Sequence, residues 1–96
     1  MKILLIEDEP QAAWDLKQTL QRVRPGIEIL ASIDSVESGI SWMENHPLPD
    51  LIFSDIRLGD GLSFEIFEGI VNTPPIIFCT AFDDYILKAF KTNGID

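Results

Sequence analysis

The stretch Leu51-Ile52-Phe53-Ser54-Asp55-Ile56-Arg57-Leu58-Gly59-Asp60-Gly61 decides the fold. A short apolar run ends on one carboxylate, then breaks into a loop with two glycines. An apolar run of that length, bounded by turn signals, reads as a buried strand. Asp55 then stands at the carboxyl end of a central strand, where open α/β sheets bind their ligands. A bare aspartate there is costly unless a cation or a hydrogen-bond donor compensates it.

The same rhythm extends to both sides. Lys2 to Ile6 reads as a first strand, apolar on both faces, as a parallel strand covered by helices should be. Pro10 suits the first turn of a helix. Ala13, Leu16, Leu20 and Val23 form its buried stripe as far as about Arg24, and Pro25-Gly26 ends it. Ile27 to Ala31 is a second strand. Asp34-Ser35-Val36-Glu37 resembles a capping box for a second helix. Val36, Ile40 and Met43 make the apolar face of that helix, and His46-Pro47-Leu48-Pro49 closes it.

After the central strand, Leu51 to Ser54, a third helix is expected over Ser63 to Val71, with Phe64, Phe67, Ile70 and Val71 as its apolar residues. Asn72-Thr73-Pro74-Pro75 is a turn. Ile76 to Cys79 is a fourth strand, running into Thr80-Ala81. Asp83 or Asp84 caps a last helix that Asn93-Gly94 stops near Thr92. Strands and helices thus alternate four times. That pattern gives a parallel sheet with right-handed crossovers and helices on both faces.

The bulk numbers fit one small soluble domain of 96 residues, 46% hydrophobic and 24% charged. A net charge of −9 argues against a nucleic-acid face on this segment. Most of that charge reads as solvated surface. The rest implies carboxylate crowding that a divalent cation would relieve. Cys79 is the only cysteine, so no internal disulfide forms, and a core thiol in a reducing cytoplasm is the expectation. The apolar start stops at Glu7, too early for a signal peptide, and no run is long enough to cross a membrane.

In such a sheet three chain segments end on one rim. The first strand delivers Glu7 and Asp8, the third Asp55, the fourth Thr80. Parallel neighbours lie about 4.8 Å apart, so these groups converge. Crowded carboxylates repel until a proton or a cation relieves them. Hard oxygen ligands with open positions suit Mg²⁺, which pairs with phosphate. That set points to phosphoryl transfer, with the Asp55 carboxylate attacking phosphorus to form an acyl phosphate. Thr80 would donate to one phosphoryl oxygen. Backbone N–H groups around Ile56, Arg57 and Ala81 would hold others.

Each residue alone has a blander reading. Asp55 would be a turn residue and Glu7-Asp8-Glu9 a solvated helix start favoured by the dipole. Thr80 would be an ordinary strand end. Convergence on one rim tips the balance. His46, Trp14 and Trp42 read as structural, and Tyr85 and Phe90 as core or output surface.

The segments Ile3 to Pro10, Leu51 to Gly61 and Ile76 to Ala81 resemble the three signatures of bacterial two-component response regulator receiver domains, and the likeness runs the whole chain. The resemblance implies a flavodoxin-like (CheY-like) α/β fold with strand order 2-1-3-4, residues 1–96 being the receiver. It implies a phospho-accepting signalling domain that is not an enzyme, with Asp55 as phospho-acceptor. Asp8, Asp55 and the backbone carbonyl of Arg57 would bind Mg²⁺, with Glu7 supporting the metal through water. Thr80 would be the switch hydroxyl, with the Ala81 backbone N–H beside it. The donor would be a sensor histidine kinase, in the cytoplasm. Thr80 to Phe90 followed by Asn93-Gly94-Ile95-Asp96 resembles regulators with a LytTR-type DNA-binding output, which would lie elsewhere in the full-length protein.

One departure stands out. The family's next segment brings a switch aromatic, a phosphoryl-contacting lysine and a final helix. Lys88 and Lys91 lie inside the predicted last helix and do not match that lysine. The expectation is a receiver truncated before its fifth βα unit, with an open strand edge that a homodimer or exchanged dimer would cover. The rival reading is a phosphorylation-incompetent, receiver-like interaction module. A haloacid-dehalogenase-type phosphatase needs a second aspartate where Arg57 stands. An EF-hand needs oxygens where Arg57 and Gly59 stand, and no nucleotide-cradling loop is present. A flavin carrier would need a Ser/Thr-rich phosphate loop after the first strand, and none follows it.

Overall fold

Side chains alternate across β1 (Lys2–Ile6), and both faces are covered. Leu4 and Ile6 join Ile33, Met43, Ile52 and Ile66 in one core. Ile3 and Leu5 join Ile27 in the other, with Leu16, Leu20 and Phe53 packed on it. The structure is a computed structural model and describes residues 1–79. The expected last helix, with Thr80, Ala81, Tyr85, Lys88, Phe90 and Lys91, lies outside the described residues.

The described elements are β1, α1 (Pro10–Val23), β2 (Glu28–Ile33), α2 (Val36–Asn45), β3 (Leu51–Ser54), β4 (Arg57–Leu58), β5 (Gly61–Leu62), α3 (Phe64–Phe67) and β6 (Ile76–Phe78). The main sheet runs β2-β1-β3-β6, every pairing parallel. That is the expected order, with β6 as the fourth strand of the sequence reading. β4 and β5 form a separate antiparallel hairpin within the loop after Asp55. The two glycines predict a plain loop there, and the backbone pairs across it instead.

Four expectations about the helices need correction. Val23 is 74% exposed although its angle puts it on the α1 stripe, because it is the last residue of the helix and only the exposed Arg24–Gly26 turn follows. Trp14 is 57% exposed and is not a packing residue. It sits one position past Ala13, about 100° round the helix from the stripe. Ile40 is 39% exposed, and Gly39 takes the buried place between Val36 and Met43. Ile66 of α3 stands over Gly39 so closely that an added Cβ would lie 2.5 Å from Ile66 Cδ1. Finally, α3 stops at Phe67, well before Val71, which is exposed. Glu68 already leaves the helix at φ −62°, ψ 133°, and Gly69 at φ +80° completes a turn in which the Ile70 N–H donates to the Phe67 carbonyl at 3.2 Å.

Trp42 is half-buried and stacks on His46, ring centroids 4.4 Å apart, and His46 Nδ1 lies 2.9 Å from the Trp42 carbonyl oxygen. Among the described residues no helix is long and apolar enough to cross a membrane.

Candidate functional site: a carboxylate cluster at the sheet edge

The parallel ladder itself assembles the site. Ile6 pairs with Ser54 and with Ile33 in register. One step further, the Glu7 N–H donates to the Ile33 carbonyl and the Asp55 N–H to the Ile6 carbonyl, each at 2.8 Å. Glu7 and Asp55 therefore leave the sheet at the same level on adjacent strands. Ligand oxygens of Glu7, Asp8 and Asp55 all lie within 4.8 Å of one another. Glu7 and Asp55 are half-buried and Asp8 is exposed. A cleft of about 350 Å³ opens beside them, lined by Glu7, Asp8, Trp14, Lys17 and Asp34.

The run Glu7-Asp8-Glu9 divides into two tasks. The Glu9 carboxylate accepts from the N–H groups of Gln11 (3.3 Å) and Ala12 (2.7 Å), capping α1 with Pro10 in its first turn. Glu7 and Asp8 are left to the cluster. Burial pushes the Glu7 carboxyl up to about 7, and the neighbouring Asp55 charge adds to that. The Glu9 N–H, which donates to Glu7 Oε2 at 3.2 Å, pulls the other way. Glu7 thus keeps its proton to higher pH than an exposed carboxyl does, which eases the crowding. Hard carboxylate oxygens, close together and open to solvent on one side, are the donor set that a magnesium ion takes in place of that proton.

Asp55 is tightly framed. The Ile56 N–H donates to Oδ1 at 2.8 Å, which leaves Oδ2 without a backbone donor among the described residues. The Asp55 carbonyl accepts from two hydroxyls, Ser54 Oγ at 2.8 Å and Ser63 Oγ. Both serines are buried. Ser63 also donates its N–H to the Ile56 carbonyl at 2.9 Å. Arg57 opens the hairpin two residues past Asp55 with its side chain exposed. The hairpin tip leans over the acids, since a Cβ on Gly59 would stand 3.9 Å from Asp8 Oδ2. Cys79 closes the opposite side, its N–H donating to the Ser54 carbonyl at 2.8 Å. Burial, then the charges of Asp55 and Glu7, push its thiol up to about 11.

Of the expected site residues, then, Glu7, Asp8 and Asp55 come together and Arg57 lies on the adjoining hairpin. Thr80 and Ala81 lie outside the described residues. Three residues were missed: Ser54, Ser63 and Asp60. The two serines look like ordinary strand and helix-cap residues. Asp60 between two glycines looks like a turn. Only the three-dimensional register shows what their oxygens meet.

A doubly covered parallel sheet with an acid cluster at its carboxyl edge defines a class of small α/β domains. The chain belongs within that class to the response regulator receiver domain family, which it matches over residues 3–96. It is 36% identical over 99 residues to the sensory transduction protein LytT of Bacillus anthracis, covering all of this chain and 39% of LytT. The transcriptional regulatory protein BtsR of Escherichia coli K12 is 35% identical, again over all of this chain and 40% of BtsR. The chain therefore spans about two fifths of the length of the curated relatives it matches. Among solved structures, the response regulatory domain of protein mrkE from Klebsiella pneumoniae superposes with a TM-score of 0.77 at 26% identity, covering 100% of this chain and 80% of that one.

Proposed function

We propose that this receiver domain accepts a phosphoryl group on Asp55 from a phosphohistidine of a sensor kinase, in a magnesium-dependent reaction. The observation that carries the reading is the packing of three carboxylates onto one sheet edge, with Glu7 and Asp55 half-buried among them. Asp8 and Asp55 would hold the ion directly, with the Arg57 carbonyl as a further ligand and Glu7 acting through water. When bound, Mg²⁺ supplies positive charge against the acids and the incoming phosphoryl oxygens.

The chain's own residues do the rest. The Ile56 amide engages Oδ1, so Oδ2 is the oxygen left to attack. A P–O bond forms, the P–N bond to the donor breaks, and its electron pair returns to the histidine ring. Ser54 and Ser63 fix the Asp55 peptide, so the carboxylate does not have to be ordered as it reacts. Thr80 and the Ala81 amide would take phosphoryl oxygens and pass the change to an output domain. LytT and BtsR are a sensory transduction and a transcriptional regulatory protein respectively, and DNA-binding control of transcription is the output that kinship supports.

Incubation with acetyl phosphate and Mg²⁺ tests this. The wild-type chain gains one phosphoryl group by intact mass, and Asp55→Asn gains none. A wild-type chain that stays unlabelled would replace this function with that of a partner-binding module.

A further inference from the structure

The carboxylate of Asp60 makes contacts that the phosphoryl chemistry does not use. It lies in the hairpin beyond Asp55, and its two oxygens reach another element altogether. Oδ1 accepts from the Val36 N–H at 2.8 Å and Oδ2 from the Glu37 N–H at 3.1 Å, the first two amides of α2. Those contacts hold the Asp60 carboxyl below the usual range. Yet α2 has its own cap, because Ser35 Oγ accepts from the Ser38 N–H at 3.0 Å. An acceptor from 24 residues away serves the two amides that this cap leaves open. It also fixes where the hairpin sits relative to α2.

The hairpin's position matters because of what it carries. Its base begins one residue past the Ile56 amide that frames Asp55, its tip stands against Asp8, and Arg57 lies on its first strand. Leu58 at 3% exposure anchors the near side in the core. Asp60 anchors the far side. From this we propose that Asp60 is a positioning residue: it clips the Arg57–Leu62 hairpin to the N-terminus of α2 and so holds the loop over the acid cluster in the shape a bound cation requires. Coupling of this kind is reciprocal, so occupancy of the cluster tightens the α2 N-terminus in turn. The inference rests on the reading of that cluster as a magnesium site.

The test compares Asp60→Ala, Asp60→Asn and Ser35→Ala with the wild-type chain. Magnesium affinity is read from tryptophan fluorescence, since Trp14 lines the cleft beside Glu7 and Asp8. Amide exchange is read with and without Mg²⁺. In metal-free protein, Asp60→Ala speeds exchange at Val36 and Glu37 and also at Leu62 and Ser63, whereas Ser35→Ala affects α2 alone. Asp60→Ala weakens magnesium binding about tenfold, the scale on which partners behind metal ligands act. Asp60→Asn loses less, because it keeps an oxygen for the Val36 amide while removing the same charge. Ser35→Ala keeps the wild-type affinity. Mg²⁺ slows exchange at Val36 and Glu37 in the wild type and not in Asp60→Ala.

Exchange changes confined to Val36 and Glu37, with unaltered magnesium affinity, would reduce Asp60 to a helix cap and overturn the inference. Equal losses in the alanine and asparagine variants would show a bare charge effect and overturn it too. A wild-type chain that binds no magnesium would refute the function proposed above instead. The metal-free exchange pattern at Leu62 and Ser63 would still decide the clip.

Discussion

Replacing Glu7 by glutamine removes a titrating carboxyl from the cluster, and its consequence is a change in how stability depends on pH. Glu7 rises from an ordinary 4.5 to about 7 in the fold. A carboxyl with a raised folded pKa binds its proton more tightly in the native state than in the unfolded chain. Native protein then holds the extra proton between about pH 4.5 and 7, and stability falls as pH rises through that window. One proton's difference sets a ceiling of about 1.4 kcal/mol per pH unit. Solvent reaches Glu7, so about half the ceiling, or about 0.7 kcal/mol per unit, is the better expectation. For a chain of this size that corresponds to about 3–6 °C in Tm per pH unit. Thermal unfolding followed by circular dichroism from pH 5 to 8 in EDTA measures it. The general acidity of the chain is common to both proteins, so the difference between their slopes is the signal. Glu7→Gln should show the shallower fall and the higher Tm above pH 7. Millimolar Mg²⁺ should flatten the wild-type curve, because cation binding displaces the proton. Parallel wild-type and Glu7→Gln curves would mean that Glu7 binds its proton no more tightly in the fold than in the unfolded chain.

Three further outcomes follow from the geometry. Gly39→Ala gains about 1 kcal/mol of helix propensity but drives a methyl into the buried Ile66 side chain, so a net loss of about 1 kcal/mol is expected in denaturant unfolding, relieved in part by Ile66→Val. Ser63→Ala removes a buried hydroxyl from the Asp55 and Ile56 carbonyls and should cost about 1 kcal/mol by the same measurement, since Ser54 still serves Asp55. Its acetyl-phosphate labelling should also slow, by mass spectrometry against time. Cys79, with its thiol near 11, should react with a thiol reagent at pH 8 about two orders of magnitude more slowly than free cysteine, and faster in Asp55→Asn.

The sequence was most legible where one period explains one surface. Ile3 to Ile6 and Leu51 to Ser54 are continuous apolar runs because helices cover both faces, and from them the parallel order and the meeting of Glu7, Asp8 and Asp55 could be read. Legibility failed where a neighbour overrides the local pattern. Ile40 is the better apolar residue, yet Gly39 faces inward because α3 comes too close for a side chain. The apolar residues Phe64 to Val71 invite a long helix, but the chain turns extended at Glu68 and reverses through Gly69, which leaves Ile70 and Val71 beyond the helix. The hairpin of Arg57 to Leu62 has two residues per strand, too few for any alternation to register. The roles of Asp60, Ser54 and Ser63 belong to contacts that composition and spacing do not encode.

A loop between a strand and a helix would ordinarily wander, and a cation that needed its carbonyl would have to order it on binding. Here that ordering is completed in advance, at three places. The Asp55 carbonyl is held by two buried hydroxyls, Leu58 is sunk in the core, and Asp60 is fixed to α2. Between those anchors Gly59 passes beside Asp8 without a side chain, so the tip approaches the acids and does not block them. The repulsion of Glu7 and Asp8 meets Asp55 on a loop held at three points. In the proposed magnesium site that repulsion would favour the exchange of a proton for a metal ion, where a slack loop would let the charges drift apart.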